Sequence, residues 1–259
     1  LGRCCFGTSW AAFVVSCQGD VKSLESSVSQ ERLVSRLQML AAIENRFIQE
    51  RRGQLPEDHR EVVGKSVQLM SSSQLAAFQV SEEPASVQER YGETDFGRGC
   101  LMARRLVEVG VPFVEVNLGG WDNHSNIFGT LADQRLPNLD RAMSALIADL
   151  ADRGILDTTA VIWMGEFGRT PTINGNGGRD HWARSWSAVV GGAGFNRGVV
   201  VGETSADGRE VASEPYSSQD LMTSVLKALD ISLETTFRAK NGRPMKIANG
   251  GQVIPGLVS

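Results

Sequence analysis

The sequence is poor in cysteine and histidine and has no excess of either charge. Its 259 residues include three histidines and four cysteines, Cys4, Cys5, Cys17 and Cys100. The cysteines have no repeated paired spacing and no neighbouring histidine, which argues against a thiolate zinc site and against a disulfide framework. Lys and Arg total 26 against 30 Asp and Glu, and the net charge is -4. Because this balance gives no overall positive field, nucleic acid is not expected as a partner.

A long hydrophobic run is also absent. The longest apolar stretch, residues 4–17, is shorter than the roughly 20 residues of a membrane span, so no transmembrane segment is expected. Two interpretations of this stretch are open: the core of a signal peptide, although only Arg3 precedes it, and a buried strand. The chain begins at Leu1 rather than at a methionine, which favours a fragment or a processed product.

What the sequence does contain is an ordinary globular composition, with 41% hydrophobic and 22% charged residues. Residues 29–52 carry apolar side chains at steps of three and four, which predicts an amphipathic helix. A second, more polar helix is predicted over 58–70. His59 stands among charged residues at its start, where a solvated side chain is expected rather than a metal ligand. Residues 1–96 are therefore predicted to be a mostly helical segment.

From residue 97 to 259 the pattern alternates, as in an α/β domain with a mainly parallel sheet. Helices are predicted over 98–109, 131–150 and 218–229. Strands are predicted over 111–118, 159–164, 186–190 and 199–201. The strand over 159–164 is expected to be central and buried on both faces. The predicted fold class is thus α/β, with a helical segment in front of an α/β half.

Three glycine-rich loops beside the predicted strands carry the candidate functional residues. The loops are residues 119–124, 165–171 and 176–182. In open α/β sheets the ligand site lies beyond the carboxyl ends of the strands, so these loops are expected to meet at one edge. His124 and His181 lie here near Asp122 and Asp180, and Glu166 lies in the middle loop. Carboxylate oxygen and neutral imidazole are ligands of catalytic zinc or a related divalent ion.

Each acidic residue also has a structural explanation. Asp122 is a candidate cap for a helix starting near Asn126, and Asp180 is a candidate cap for a turn. Glu166 lies three residues before Arg169, and exposed ion pairs of this kind contribute little. The metal interpretation is favoured because three loops with acidic or histidine side chains converge on one sheet edge, with glycines that allow close approach of the backbone.

The loops belong to three longer motifs that resemble one family. The motifs are FVEVNLGGWDNH (113–124), MGEFGRTP (164–171) and GGRDHW (177–182). Shorter matches at 89–92, 96–100 and 249–251 extend the resemblance to about residues 30–255. The family is the bacterial domain of unknown function 1501, which is placed in the alkaline phosphatase-like superfamily with sulfatases and cofactor-independent phosphoglycerate mutases. The resemblance implies a three-layer α/β/α sandwich with a mainly parallel sheet.

The resemblance implies a metal site built from the loop residues. Asp122 and His124 match the Asp and His ligands of one metal, with one intervening residue where the superfamily has three. His181 matches the histidine that completes this site. Asp180 is either an additional ligand or the partner that fixes the imidazole tautomer. The implied ion is zinc, with calcium, manganese and magnesium as alternatives.

The resemblance also implies a second metal site, for which only part of the ligand set is present, and a site for the substrate anion. Glu166 takes the place of a carboxylate that binds a second metal, but Phe167 replaces the histidine beside it. Arg169 or Arg179 is expected to hold the substrate anion. The expected partner is therefore an anionic small-molecule or polysaccharide ester.

The nucleophile of the superfamily has no counterpart between Leu1 and Gly97. Thr8, Ser9 and Cys17 qualify by residue type alone, so the chain resembles the C-terminal part of such a protein. Two functions follow: a metal-dependent hydrolase of phosphate or sulfate esters, or a non-catalytic, metal-stabilised binding module of the exported cell-surface type. Because relatives tend to begin with a leader of the twin-arginine type, a periplasmic or secreted location is expected.

Overall fold

Helices dominate the part of the chain that the computed structural model describes, which is residues 26–50, 55–70, 72–239 and 242–258. Seven α-helices lie within it: α1 (Gln30–Glu50), α2 (Leu55–Met70), α3 (Ala85–Tyr91), α4 (Asp95–Glu108), α5 (Ile127–Thr130), α6 (Leu136–Asp152) and α7 (Ser218–Ala228). None of them is both long and apolar enough to cross a bilayer. The apolar stretch 4–17, with Thr8, Ser9 and Cys17, lies outside the described residues.

The helices begin where local chemistry favours a start. Thr94 caps α4 by accepting a hydrogen bond from the Gly97 amide at 3.1 Å. At α7, the side chains of Ser217 and Asp220 bond each other's backbone amides in a capping box. A π-helical turn, Leu131–Arg135, joins α5 to α6. The helices predicted over 29–52, 58–70, 98–109, 131–150 and 218–229 are confirmed to within a few residues.

The hydrophobic core lies between α3, α4 and α6. Tyr91, Leu101 and Ala142 are fully buried in it. The extended segment 111–118 packs on the same core through alternate side chains, which include Val114 and Val116. The core thus combines residues from both sides of the division predicted after residue 96.

The predicted alkaline phosphatase-like sandwich of three layers with a mainly parallel sheet is wrong. The described residues contain only antiparallel two-stranded sheets, in which β1 (Val161–Met164) pairs with β4 (Ala188–Gly191), β2 (Gly168–Arg169) with β3 (His181–Trp182), and β5 (Thr236–Arg238) with β6 (Pro244–Lys246). The architecture they form is a helical core with short sheets beside it.

The predicted sheet fails at identifiable strands. Residues 111–118 alternate between half-buried and exposed side chains, but they pair with no strand of the described chain. Val200, in the predicted strand 199–201, is 94% exposed and lies in coil. Strand β1 was expected to be central, yet its Trp163 and Met164 are 43% and 45% exposed. The apolar pattern predicted extended backbone and could not predict its hydrogen-bonding partners.

A group of charged side chains, the Arg104 cluster, is buried against the core. Arg104 is 1% exposed and lies 2.8 Å from Glu83, 2.8 Å from Glu108 and 3.0 Å from Asp149. The Tyr91 hydroxyl donates a hydrogen bond to Asp149 at 2.9 Å. Burial acts to raise the pKa of the Glu83 and Asp149 carboxyls, but hydrogen bonds from neighbouring cations and from Tyr91 outweigh it. Both carboxyl pKa values therefore lie below their ordinary range.

Candidate metal centre

The hairpin of β2 and β3 positions two of the predicted site residues. Arg169 and His181 are directly opposite each other in this antiparallel pair, so their side chains share one face. At the neighbouring Gly168, a Cβ atom would stand 2.0 Å from the Ser185 carbonyl oxygen. A glycine is therefore required at position 168 for the hairpin to close and bring Arg169 to His181.

The loop before α5 is joined to the loop before β3 by backbone hydrogen bonds. The Arg179 amide donates to the Asn123 carbonyl at 3.0 Å, and the Ile127 amide donates to the Gly177 carbonyl at 2.9 Å. The next residue, at position 178, is also a glycine, and a Cβ there would lie 2.0 Å from a backbone carbon at position 124. This close approach carries His124 to the hairpin.

Asp122, His124 and His181 meet where these loops join, and they form the Asp122 cluster. Asp122 Oδ1 lies 2.8 Å from His181 Nε2 and 3.0 Å from His124 Nε2. One ligand atom from each of the three residues lies within 4.8 Å of the other two. The structure thus brings together the three residues that were predicted to share one ion.

Asp180 orients one imidazole from outside the Asp122 cluster. Its Oδ1 lies 2.8 Å from His124 Nδ1. Because an ionised carboxylate only accepts hydrogen bonds, Nδ1 is the donor, and Nε2 of His124 faces Asp122. A carboxylate behind the ring is the usual companion of a metal-bound histidine. Of the two roles open to Asp180, the geometry favours the partner that fixes a tautomer, and the ring that it fixes is that of His124.

The donor set fits a divalent ion of the zinc type. Two ligand bonds of about 2.1 Å at a tetrahedral angle place the donor atoms about 3.4 Å apart. The separations of 2.8 and 3.0 Å from Asp122 to the histidines are a few tenths of an ångström shorter, as expected where protons link these atoms. All three side chains are about half exposed. Accommodating an ion therefore takes small outward movements from Asp122 and a closer approach of the donor atoms that are up to 4.8 Å apart. The remaining coordination position would be open to solvent.

The charges of the site shift three pKa values. The hydrogen bond to Asp180 is the main cause that raises the pKa of His124 above its ordinary value of 6.5. The hydrogen bond with His181 is the main cause that lowers the pKa of Asp122, and the hydrogen bond with His124 lowers that of Asp180. Both carboxylates are ionised at neutral pH, and protonation of His124 would compete with binding of an ion.

The other predicted residues surround the Asp122 cluster. Arg169 Nη2 lies 3.3 Å from Asp122 Oδ1 and 3.4 Å from Glu166 Oε1, so it links the two carboxylates. Glu166 is 64% exposed and lies outside the group of potential ligands. It follows β1 as predicted, but β1 is not a central parallel strand. Arg179 Nη1 donates to two backbone carbonyls of the neighbouring loop, at 2.5 and 2.6 Å, and so braces that loop.

The helix-cap interpretation of Asp122 does not hold. Helix α5 starts at a cap residue, Asn126, with a left-handed φ of 42°, and no side chain accepts a hydrogen bond from its first amides. The carboxylate of Asp122 bonds instead to His124, His181 and Arg169. The hydrogen bonds of Asp122 therefore go to the neighbouring loop and hairpin and not to α5.

Comparison with known proteins gives the chain a family. The family model described as Protein of unknown function (DUF1501) matches residues 7–258. The chain belongs to this family. Comparisons with curated proteins and with solved structures give no match. The resemblance found in the sequence motifs is confirmed at the level of the DUF1501 family.

Asn174 shapes the site of this DUF1501 protein and was not predicted from the sequence. Its Nδ2 donates to the His124 carbonyl at 3.1 Å and to Asp180 Oδ1 at 3.0 Å. Its Oδ1 accepts hydrogen bonds from the amides of Asn176 and Gly178, both at 3.0 Å. The Asn-Gly-Asn-Gly-Gly run over 174–178 signals a turn, which was the only available hint.

Phe167 also has a role that the sequence did not reveal. Its ring centroid lies 4.8 Å from that of His181, and the Arg169 guanidinium lies 5.0 Å from it. Phe167 therefore holds His181 and Arg169 by contact.

Proposed function

We propose that this DUF1501 protein is a metal-dependent hydrolase of phosphate or sulfate esters, with one divalent ion at the Asp122 cluster. The observation that supports this most directly is the hydrogen bond from His124 Nδ1 to Asp180, because it leaves Nε2 of His124 facing the same carboxylate oxygen as Nε2 of His181. Without a carboxylate such as Asp180 behind one ring, the contacts of Asp122 with the two histidines would be evidence only of exposed ion pairs.

Zinc is the ion that the donor set favours. Two imidazole nitrogens and one carboxylate oxygen suit zinc, whereas calcium and magnesium prefer sites built from oxygen atoms. Manganese is the next candidate. Three protein ligands with an open position are typical of catalytic rather than structural zinc.

The side chains around the ion have separate tasks. When bound, the ion acts as a Lewis acid that polarises an ester oxygen. Arg169, beside Asp122, binds the anionic oxygens of the substrate through charge-assisted hydrogen bonds. Glu166 restrains the guanidinium from the other side. Water is the attacking group: its oxygen bonds to phosphorus or sulfur as the bond to the ester oxygen breaks. The proton that the water loses passes to the departing oxygen, so the products are an alcohol and inorganic phosphate or sulfate.

The second candidate is a non-catalytic, metal-stabilised binding module. It is favoured by one observation, that no serine, threonine or cysteine side chain in the described residues hydrogen-bonds to the Asp122 cluster. Cys100, the cysteine that the structure describes, is buried in the helical core. A module of this kind binds ion and anion without turnover.

Elemental analysis of the purified protein tests the site itself. We expect about one zinc ion per chain, and loss of that ion in His181→Ala because one of three ligands is removed. The melting temperature in excess chelator should stay unchanged, since the ring is half exposed. His59→Ala is the matched control, because His59 is an exposed histidine bonded to Glu44. Full zinc occupancy in His181→Ala would contradict the assignment.

Turnover separates the two candidates. The metal-loaded protein is tested against an aryl phosphate, an aryl phosphodiester and an aryl sulfate. Hydrolysis that disappears in Arg169→Ala and His181→Ala supports the hydrolase. Zinc binding without hydrolysis of any ester in the panel supports the binding module. A periplasmic or secreted location stays a prediction, and fractionation of the source cells tests it.

A further inference from the structure

A small cavity adjoins the Asp122 cluster and shares Asp180 with it. Its volume is about 250 Å³. Three side chains form its apolar walls: Pro171, Ile173 and Trp182. Its polar groups come from five residues: Thr170, Thr172, Asn174, Asp180 and Arg209. Because Asp180 also holds His124, a molecule in the cavity lies next to the candidate metal centre.

We propose that this cavity binds the pyranose ring of a sugar whose phosphate or sulfate group lies at the Asp122 cluster. The proposal rests on the proposed function and names its substrate class. It assigns Trp182 and Asp180 as the two residues that recognise the ring.

Trp182 supplies a fixed aromatic wall. Its indole Nε1 donates a hydrogen bond to the Arg209 carbonyl at 3.1 Å. The Arg184 guanidinium lies 5.4 Å from the ring centroid. These contacts hold the indole in place before a ligand arrives, so little conformational freedom is lost on binding. A flat aromatic surface with hydrogen-bonding groups around it suits a ring that has an apolar C–H face and hydroxyl groups at its edge.

Asp180 sets the charge of the ligand inside the cavity. Its Oδ1 accepts hydrogen bonds from His124 and Asn174, whereas no described residue hydrogen-bonds to Oδ2. An ionised carboxylate repels a second anion. Beside an apolar ligand it loses bound water and gains no hydrogen bond in its place, which is unfavourable. Neutral hydroxyl groups meet both conditions, because they donate hydrogen bonds to Oδ2.

The volume limits the ligand to about one ring. Sites that enclose drug-sized molecules have volumes of roughly 300–1,000 Å³, and this cavity is smaller. A single pyranose is therefore favoured over a longer saccharide held entirely inside. Further sugar units of a polysaccharide would lie outside the cavity.

Ligand-observed NMR on the purified chain, with and without added zinc, tests the proposal with a panel of unreactive methyl pyranosides. We expect at least one member to bind, and we expect Trp182→Leu to weaken that binding about tenfold or more. Trp163→Leu is the matched control, since Trp163 is a half-exposed tryptophan on β1 that does not line the cavity. Zinc content should be equal in all three proteins.

The outcomes separate this proposal from the function on which it rests. If no pyranoside binds to the wild-type chain, or if Trp182→Leu and Trp163→Leu bind equally well, the sugar cavity is overturned even when zinc is present. If pyranosides bind through Trp182 but no zinc is found, the cavity stands and the hydrolase is overturned. Should Trp182→Leu fail to fold, Thr172→Val replaces it as the cavity variant. It must then weaken binding about threefold for the proposal to hold.

Discussion

The Arg104 cluster and the Asp122 cluster both contain carboxylates beside cationic or imidazole side chains. They differ in their exposure to solvent and in their ratio of carboxylates to cations. Arg104 is almost completely buried, whereas Asp122 and its histidines are about half exposed. In the buried cluster Arg104, Arg105 and Arg153 bind Glu83, Glu108 and Asp149. Arg105 also pairs at 3.5 Å with Glu82, an exposed residue at the edge of the cluster. Every carboxylate of this cluster thus lies against at least one guanidinium group of the protein.

The exposed site is not balanced. Its carboxylates, Asp122, Asp180 and Glu166, face a single guanidinium, that of Arg169, beside two histidines. Two negative charges are left without a permanent cation, which is the charge of one divalent ion. Comparison of the two clusters therefore separates a buried ion-pair network from an exposed site whose carboxylates outnumber its permanent cations, as the proposed metal site requires.

The largest expected effect is a loss of folding stability when the Arg104 cluster is changed. Arg104→Met leaves Glu83 and Asp149 buried beside fewer cations, and we expect the free energy of unfolding to fall by about 3–5 kcal/mol. Urea unfolding measures this change. Arg197→Met is the control, because Arg197 is 79% exposed and its pair with Asp157 should contribute less than about 0.5 kcal/mol. If both variants lowered the unfolding free energy equally, the Arg104 cluster would stabilise the fold no more than an exposed ion pair does.

Acid should destabilise the protein mainly through the same cluster. The Glu83 and Asp149 carboxyls have folded-state pKa values below their ordinary values of 4.5 and 3.8. Their contribution is therefore present above about pH 4.5 and is lost as pH falls through the lower, folded-state values. Unfolding free energies from pH 6 to pH 2.5 should show this loss. A slope in that range unchanged by Asp149→Asn would show that other carboxyls are responsible.

A smaller effect is expected from the carboxylate behind His124. Asp180→Asn removes the charge that fixes the ring, and we expect zinc affinity to fall about 10–100-fold with little change in stability. Competition with a chelator of known affinity measures it. Asp207→Asn is the matched control, because Asp207 is an exposed aspartate bonded to Ser205 and Arg209 in another loop. Equal zinc affinities in the two variants would assign Asp180 no role at the ion.

The smallest expected effect is a shift in one titration. In metal-free protein, His124 should titrate above pH 6.5, because Asp180 stabilises its protonated form. Its small stabilising effect is then present below pH 6.5 and disappears as pH rises through the folded-state pKa. NMR titration of the ring protons measures this value. Zinc should abolish this titration and shift the ring signals of His124 but not those of His59, whereas equal signal shifts in both rings would indicate a nonspecific effect.

The sequence predicted the helices because their signal is local. Helices α4 and α7 have apolar positions at helical spacing and polar residues that cap their first turns, and both were placed to within a few residues. The meeting of Asp122, His124 and His181 was also predicted, although the reason given for it, a shared edge of a parallel sheet, was wrong. Loop-to-loop hydrogen bonds bring these residues together instead.

The strand pairing and the role of Asn174 could not be predicted, because both depend on residues that are distant in the sequence. Val114 and Val116 do alternate with exposed residues, but alternation indicates only that one side is covered, and here helices cover it. Nothing in the residue type of Asn174 distinguishes it from other turn asparagines. Its role depends on His124, which is 50 positions earlier in the chain.

The hydrogen bonds within the Asp122 cluster and from it to Asp180 have a consequence for the order of folding. They join residues that are 56 and 59 positions apart. Contacts so distant require closure of a long loop, whereas helices such as α6 form from neighbouring residues. A chain in which only the helices have formed lacks a complete set of ligands. An ion that binds only the finished fold would stabilise that fold alone, so metal uptake would be the final step of maturation and would mark the molecules that have reached it.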